Sequence, residues 1–165
     1  MDNFDINAAI KYFQEVITNH YADFKGRVSR RDYWTYVVVV FAVAIVTALI
    51  QGIVGLGILS LVQLGLLIPN AAMTARRLQD TGKDGKLVWI LFIPMAISSV
   101  VAFLAVMTFG ALGLLLLLLP LMTLISLISL LAGIYMIYLC IQPGTPGENP
   151  FGPVPPVATA KPAAT

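Results

Sequence analysis

The sequence predicts an all-α membrane protein: four transmembrane helices as two hairpins, preceded by an amphipathic interfacial helix. Three observations lead there. Hydrophobic residues make up 59% of the 165 and charged residues 11%, with a mean hydropathy of +0.90. A soluble domain carries about 25% charged residues, and a water-soluble core cannot absorb this much apolar surface. No Asp, Glu, Lys, Arg or His occurs from Tyr33 to Ala75, nor from Leu87 to Gly147. Between the two runs lies one charged island, Arg76–Lys86. A helix of about 20 residues crosses a hydrocarbon core of about 30 Å, so each run is long enough to cross twice. The island then joins two hairpins on one membrane face.

The chain divides into three parts: an N-terminal amphipathic and juxtamembrane segment (1–32), a transmembrane domain (33–141) with loop 76–86, and a Pro/Gly-rich tail (142–165). In the first part, Ile6, Ile10, Phe13, Ile17, Tyr21 and Phe24 recur at helical spacing. The helix fits the membrane interface and equally fits packing against the loops of its own bundle. The first thirty residues are polar and mixed, which reads as no cleavable signal peptide, with the first span acting as its own insertion signal. Gly26 permits a turn, and Ser29 or Asp32 is suited to cap the next helix. Tyr33, Trp34 and Tyr36 form an aromatic belt at headgroup depth.

Span one runs roughly 34–54. Its Val37–Val40 run favours strand in water, but a lone strand in lipid leaves its backbone unpaired, so helix is expected. Ala44, Ala48 and Gly52 form a small-residue row suited to close helix packing. Glycines 52, 55 and 57 mark a turn. Span two runs roughly 58–75, with Asn70 and Thr74 placed to bond the carbonyls freed by Pro69. Span three, 87–107, carries Trp89 and a kink at Pro94. A turn over 108–113 leads to span four within 114–141, where Ser126, Ser129 and Gly133 make another small-residue row. Cys140 lies inside that span and reads as a small apolar residue. The tail, with seven prolines from Pro143 to Pro162, is expected to be extended or largely disordered, above all beyond about Pro156.

Lysine and arginine set the orientation. Lys11, Lys25, Arg27, Arg30 and Arg31 precede span one, and Arg76, Arg77, Lys83 and Lys86 lie in the island. The two uncharged turns carry none. Four spans put every positive charge on one side, which the positive-inside rule makes cytoplasmic, with both termini there.

Three patches resemble one bacterial family. Phe24–Trp34 is similar to its F-x-G-R-x-[SA]-R-x-x-[YF]-W entry. Pro69 followed by Arg76–Gly85 is similar to its R-R-L-H-D-x-G-x-x-G centre, with Gln79 in place of the usual His. Gly144–Pro155 is similar to its G-x-x-G-x-N-x-[YF]-G-x-x-P close. The chain resembles domain-of-unknown-function family 805, the YhaH-like small inner-membrane proteins. The resemblance implies a bacterial inner-membrane location and no established activity.

The charged residues are the candidate site. Arg76 and Asp80 stand four apart and are placed to pair on one helical turn. Gly82 and Gly85 allow turns that a side chain would block. One reading is a salt-bridged cap tying the N-terminal segment to the central hairpin, built on Gly26, Asp32, Trp34, Asp80, Gly82, Gly85 and Asn149. The other is a basic pocket for anionic lipid headgroups or a phosphate-bearing ligand, drawing on Arg27, Arg30, Arg31, Arg76, Arg77, Lys83 and Lys86. No catalytic triad, paired intramembrane carboxylates, metal-ligand spacing or phosphate-binding glycine loop is visible, so neither enzyme, metal nor cofactor is expected. The net charge of +2 gives no sign of nucleic acid. Transport by a coupled carrier usually needs an ionisable residue at the midplane, and none is present. A passive or oligomeric pore, or a subunit of a membrane complex, stays open as the alternative.

Overall fold

The computed structural model describes residues 5–54, 60–107 and 112–157. Among these are five α-helices and no strand: α1 (Ile6–Asn19), α2 (Arg30–Val54), α3 (Ser60–Asp80), α4 (Val88–Met107) and α5 (Leu112–Ile141). A short 3-10 turn, Gly85–Leu87, leads into α4. Two helical stretches, Arg30–Ile53 and Thr123–Ile141, are long and apolar enough to cross a membrane.

The helix ends follow from local chemistry. Asp5 caps α1, its carboxylate accepting from the N–H groups of Asn7 (2.9 Å) and Ala8 (3.2 Å). At α2, Ser29 Oγ accepts from the Asp32 N–H (3.1 Å) and donates to Asp32 Oδ2 (2.8 Å), a reciprocal cap. The Val37–Val40 run is helical. At the end of α3, the Gly82 N–H bonds the Gln79 carbonyl (3.1 Å) and the Lys83 N–H bonds the Leu78 carbonyl (3.0 Å). That is a Schellman stop, and Gly82 supplies its left-handed residue at φ +77°.

Helix α3 is the centre of the packing. Its Ala71, Ala75 and Leu78 meet Val88 and Phe92 of α4 and Met136 and Leu139 of α5. Its Met73 joins Val16 of α1, Tyr33 and Tyr36 of α2, Val28 and Cys140 in a second cluster. Cys140 is a buried free thiol packed there as a small apolar group. Large apolar side chains instead cover the outside of α2, α4 and α5: Phe41 is 65% exposed, Ile90 59% and Leu131 61%. So broad an apolar exterior needs a non-aqueous neighbour.

Four sequence expectations differ from the structure in detail. The stripe of α1 that turns inward contains Ala9, Phe13 and Val16, while Ile6 and Ile10 face outward. The inward stripe is chosen by contact with α2, where the Phe13 and Tyr36 rings stack 5.8 Å apart. The carbonyl left without a donor by Pro69 belongs to Gly65, and the Tyr21 hydroxyl satisfies it. Asn70 is turned away to accept from the Tyr36 hydroxyl (2.8 Å), and Thr74 bonds the Asn70 carbonyl (2.8 Å). Gly52, read as part of the turn after span one, lies within α2, and like Ala48 it is exposed. Gly113 lies within α5 rather than in a turn. Glycines 55 and 57, residues 108–111 and the tail from residue 158 lie outside the described residues.

Candidate functional site

At one end of the bundle, the segment before α2, the ends of α3 and α5 and the tail are tied together around a single carboxylate. Asp80 closes the last turn of α3 and is 3% exposed. Its Oδ1 accepts from Arg27 Nε at 3.0 Å, and its Oδ2 accepts from Arg77 Nη1. One carboxylate thus bridges two guanidinium groups whose side chains are 1% and 0% exposed.

The remaining donors of the two arginines go to backbone carbonyls. Arg77 Nε donates to the Cys140 carbonyl (3.0 Å) and its Nη2 to that of Gln142, at the end of α5. Arg27 Nη2 donates to the Thr145 carbonyl (2.7 Å), and its Nη1 to those of Gly147 (2.7 Å) and Gly152 (3.2 Å). Arginine suits this role because its fork presents five donors in fixed directions. Burial pushes the Arg77 pKa down, and the adjacent Asp80 pushes it back up. A guanidinium stays charged even so, and Asp80 is the counter-charge that its burial requires.

The tail folds onto this pair. The Thr145 N–H and hydroxyl both donate to the Asp80 carbonyl (2.8 and 3.1 Å). Asn149 Nδ2 donates to the Gln79 carbonyl and to Thr145 Oγ1, both at 2.9 Å. Asn149 Oδ1 accepts from the Phe151 N–H (2.9 Å), and Asn149 and Gly152 pair as an isolated antiparallel bridge. Glycine is required at 144 for space, since a Cβ there would run into the Asp80 carboxylate. Residues 144–152 are therefore docked on α3, where the sequence reading leaves the tail without packed structure.

The other predicted residues are placed as follows. Gly26 turns the chain at φ +96° ahead of Val28, whose N–H bonds the Arg76 carbonyl (3.3 Å). Asp32 is buried in the α2 cap, and the half-buried Trp34 packs edge-on against Tyr33. Gly85 is buried, with Gln79 Nε2 only 2.6 Å from where its Cβ would stand. Gln79 Nε2 donates to the Phe24 carbonyl (2.9 Å). Arg30 and Arg31 are exposed at the start of α2, Lys86 is exposed in the 3-10 turn, and Lys83 is half-buried. Arg76 does not pair with Asp80 as its spacing suggests; it is buried, and its Nη2 donates to Met73 Sδ (2.9 Å). Arg77, one residue further on, points to the carboxylate instead.

Reasoning from the sequence did not single out Thr145, Gly144, Gly147 or Tyr21 as site residues. The glycine-spaced closing motif was the available signal for the first three. Among the described residues no group of three His, Cys, Asp or Glu side chains is placed to hold a metal ion.

The model of the family described as "Protein of unknown function (DUF805)" matches residues 21–153. The chain belongs to this family. The matched range takes in every residue of the Asp80 cluster and leaves out α1. Over 88 residues the chain is 33% identical to the Inner membrane protein YhaI of Escherichia coli (strain K12), covering 52% of this chain and 74% of that protein. Over 72 residues it is 32% identical to the Uncharacterized protein YiiR of the same strain, covering 42% of this chain and 49% of that protein. No solved structure matches. The apolar helices and the inner-membrane relative together make this a membrane protein.

Proposed function

We propose that this DUF805 protein is a non-enzymatic, four-span protein of the bacterial inner membrane with both termini cytoplasmic. Its cytoplasmic Arg/Asp cap presents a fixed set of cations to anionic lipid headgroups. One observation carries the reading: some basic residues are consumed inside the cap while others stay exposed beside it. Arg27 and Arg77 are buried on Asp80 and on carbonyls of α5 and the tail. Arg30 and Lys86 stay exposed at the same end of the bundle, with Lys83 half-buried. A helix N-terminus disfavours positive charge, so Arg30 and Arg31 at the start of α2 contribute little to helix stability. Basic groups beside a cytoplasmic leaflet attract anionic lipid at about 1 kcal/mol each.

The four-span topology draws support from the converging ends. Arg27, just before α2, meets the end of α3 at Asp80, Arg77 joins it to the end of α5, and Val88 at the start of α4 packs with Leu78, as two hairpins joined by the island require. The outward Ile6 and Ile10 of α1 suit an interfacial helix lying beside this cap. A second reading, an oligomeric pore or a subunit of a membrane complex, is favoured by the exposed small residues Ala48 and Gly52 on α2.

Native mass spectrometry of the full chain with added phosphatidylglycerol tests the lipid reading. The wild type is expected to retain the lipid, and Arg30→Gln/Lys83→Gln/Lys86→Gln to lose it. Equal retention by both would refute the role of the exposed cations. A defined oligomer in the same spectra would move the account to the α2 row.

A further inference from the structure

Beside the Asp80 cluster, α1, residues 27–29 with Asp32, Arg76, Pro155 and Pro156 line a half-open cleft of about 240 Å³. Pockets for drug-sized ligands run from about 300 to 1,000 Å³, so this volume restricts the occupant to something smaller. Arg76 lines it and is 8% exposed. Its Nε has no hydrogen-bond partner among the described residues, and its Nη2 bonds only the Met73 thioether, a weak acceptor. Buried donors are nearly always satisfied, and an exception calls for an explanation. The Asp80 cluster supplies none, because Arg77 rather than Arg76 reaches that carboxylate.

The same cleft is lined by two carboxylates, Glu15 and Asp32, by His20, and by a second guanidinium, Arg27, which Asp80 already compensates. Tyr12 lines the cleft with them, and burial pushes its pKa up, with Asp32 and Glu15 adding to the rise and Arg76 opposing it. With Arg27 compensated by Asp80, a purely anionic ligand would meet both acids, and a purely cationic one would meet the guanidinium of Arg76. The charges match a short molecule bearing both signs.

We propose that this cleft binds a phosphoethanolamine-type zwitterion, its phosphate on Arg76 and its ammonium toward Glu15 and Asp32. Arginine is suited to the phosphate by its planar fork, and charge-assisted hydrogen bonds of this kind are the strong ones. The headgroup can come from phosphatidylethanolamine in the bilayer or from the free soluble molecule. The site is separate from the exposed cations of the lipid-surface reading, and either can fail without the other.

The test uses the full chain in detergent, stripped of lipid, with native mass spectrometry of four probes: phosphoethanolamine, inorganic phosphate, ethanolamine and dihexanoyl phosphatidylethanolamine. A zwitterionic form is expected to bind one to one, at least about tenfold tighter than phosphate or ethanolamine, as loss of one charged hydrogen bond implies. Binding of both forms would support a free ligand, and binding of the lipid form alone would support the bilayer headgroup. Arg76→Gln should abolish binding. Glu15 is exposed on α1, so Glu15→Gln keeps the fold and should weaken the zwitterion about tenfold while leaving phosphate unchanged. Binding of neither form, equal affinity for phosphate and the zwitterion, or an unaltered Glu15→Gln would overturn the proposal.

Discussion

Arg27 and Asp80 meet across 53 positions of sequence, Nε to Oδ1 at 3.0 Å, with side chains 1% and 5% exposed. The contact joins the segment before α2 to the end of α3. Through the other donors of Arg27, it also holds the tail carbonyls of Thr145, Gly147 and Gly152. Asp80 is shared with Arg77, which secures the end of α5. One carboxylate therefore compensates two buried cations.

Asp80→Asn leaves both guanidinium groups buried without a counter-charge. Breaking a buried pair by removing one partner costs about 3–5 kcal/mol. The expected outcome is a large fall in the midpoint of thermal unfolding in detergent, with Arg27→Gln losing less because Arg77 keeps the carboxylate. A melting curve for Asp80→Asn that overlays the wild type would remove the bridge from the account.

The glycines of the tail separate crowding from backbone strain. At Gly144 an added methyl collides with the Asp80 carboxylate, and Gly144→Ala should cost about 1–3 kcal/mol as overpacking does. At Gly147 there is open space but φ is +77°, so Gly147→Ala should cost about 1–2 kcal/mol from the left-handed backbone alone. Limited proteolysis should cut the tail faster in Gly144→Ala, because only there is the docking surface itself displaced. Equal cleavage of wild type and Gly144→Ala would show that the tail is not held at Asp80.

Tyr21 performs the task that Pro69 creates. Its hydroxyl donates to the Gly65 carbonyl, which has no helical donor because residue 69 lacks an N–H. Tyr21→Phe is expected to lower stability by about 1 kcal/mol. In a Pro69→Ala background, where the amide donor is restored, the same change should cost close to nothing. An equal cost in both backgrounds would mean that the hydroxyl acts elsewhere.

Much of the architecture was legible because the bilayer leaves a narrow choice. Long uncharged runs have to be helical there, and the positions of Pro69, Gly82 and the Ser29–Asp32 cap follow local rules that need no tertiary knowledge. The site was legible by composition but not by partner. Arg76 and Asp80 satisfy the helical spacing rule, yet Arg77 makes the contact, because the acceptors from α5 lie on its side of α3. The docked tail was hidden for a similar reason. Prolines and glycines between residues 143 and 156 read as extended chain without a packed core when no surface is known for them to fold against. Here Arg27 and Asp80 provide that surface. The Tyr21–Gly65 bond spans 44 positions and depends on how α1 leans on α2 and α3, which no local pattern encodes.

A double-mutant cycle between Arg27 and Asp80 tests the central claim most directly. Wild type, Arg27→Gln, Asp80→Asn and the double variant would be unfolded in mixed micelles under one set of conditions. Directly contacting residues couple by about 0.5–3 kcal/mol, and the burial of this pair places the expected value in the upper half of that range. Additive single effects, with no coupling between the two positions, would contradict the account.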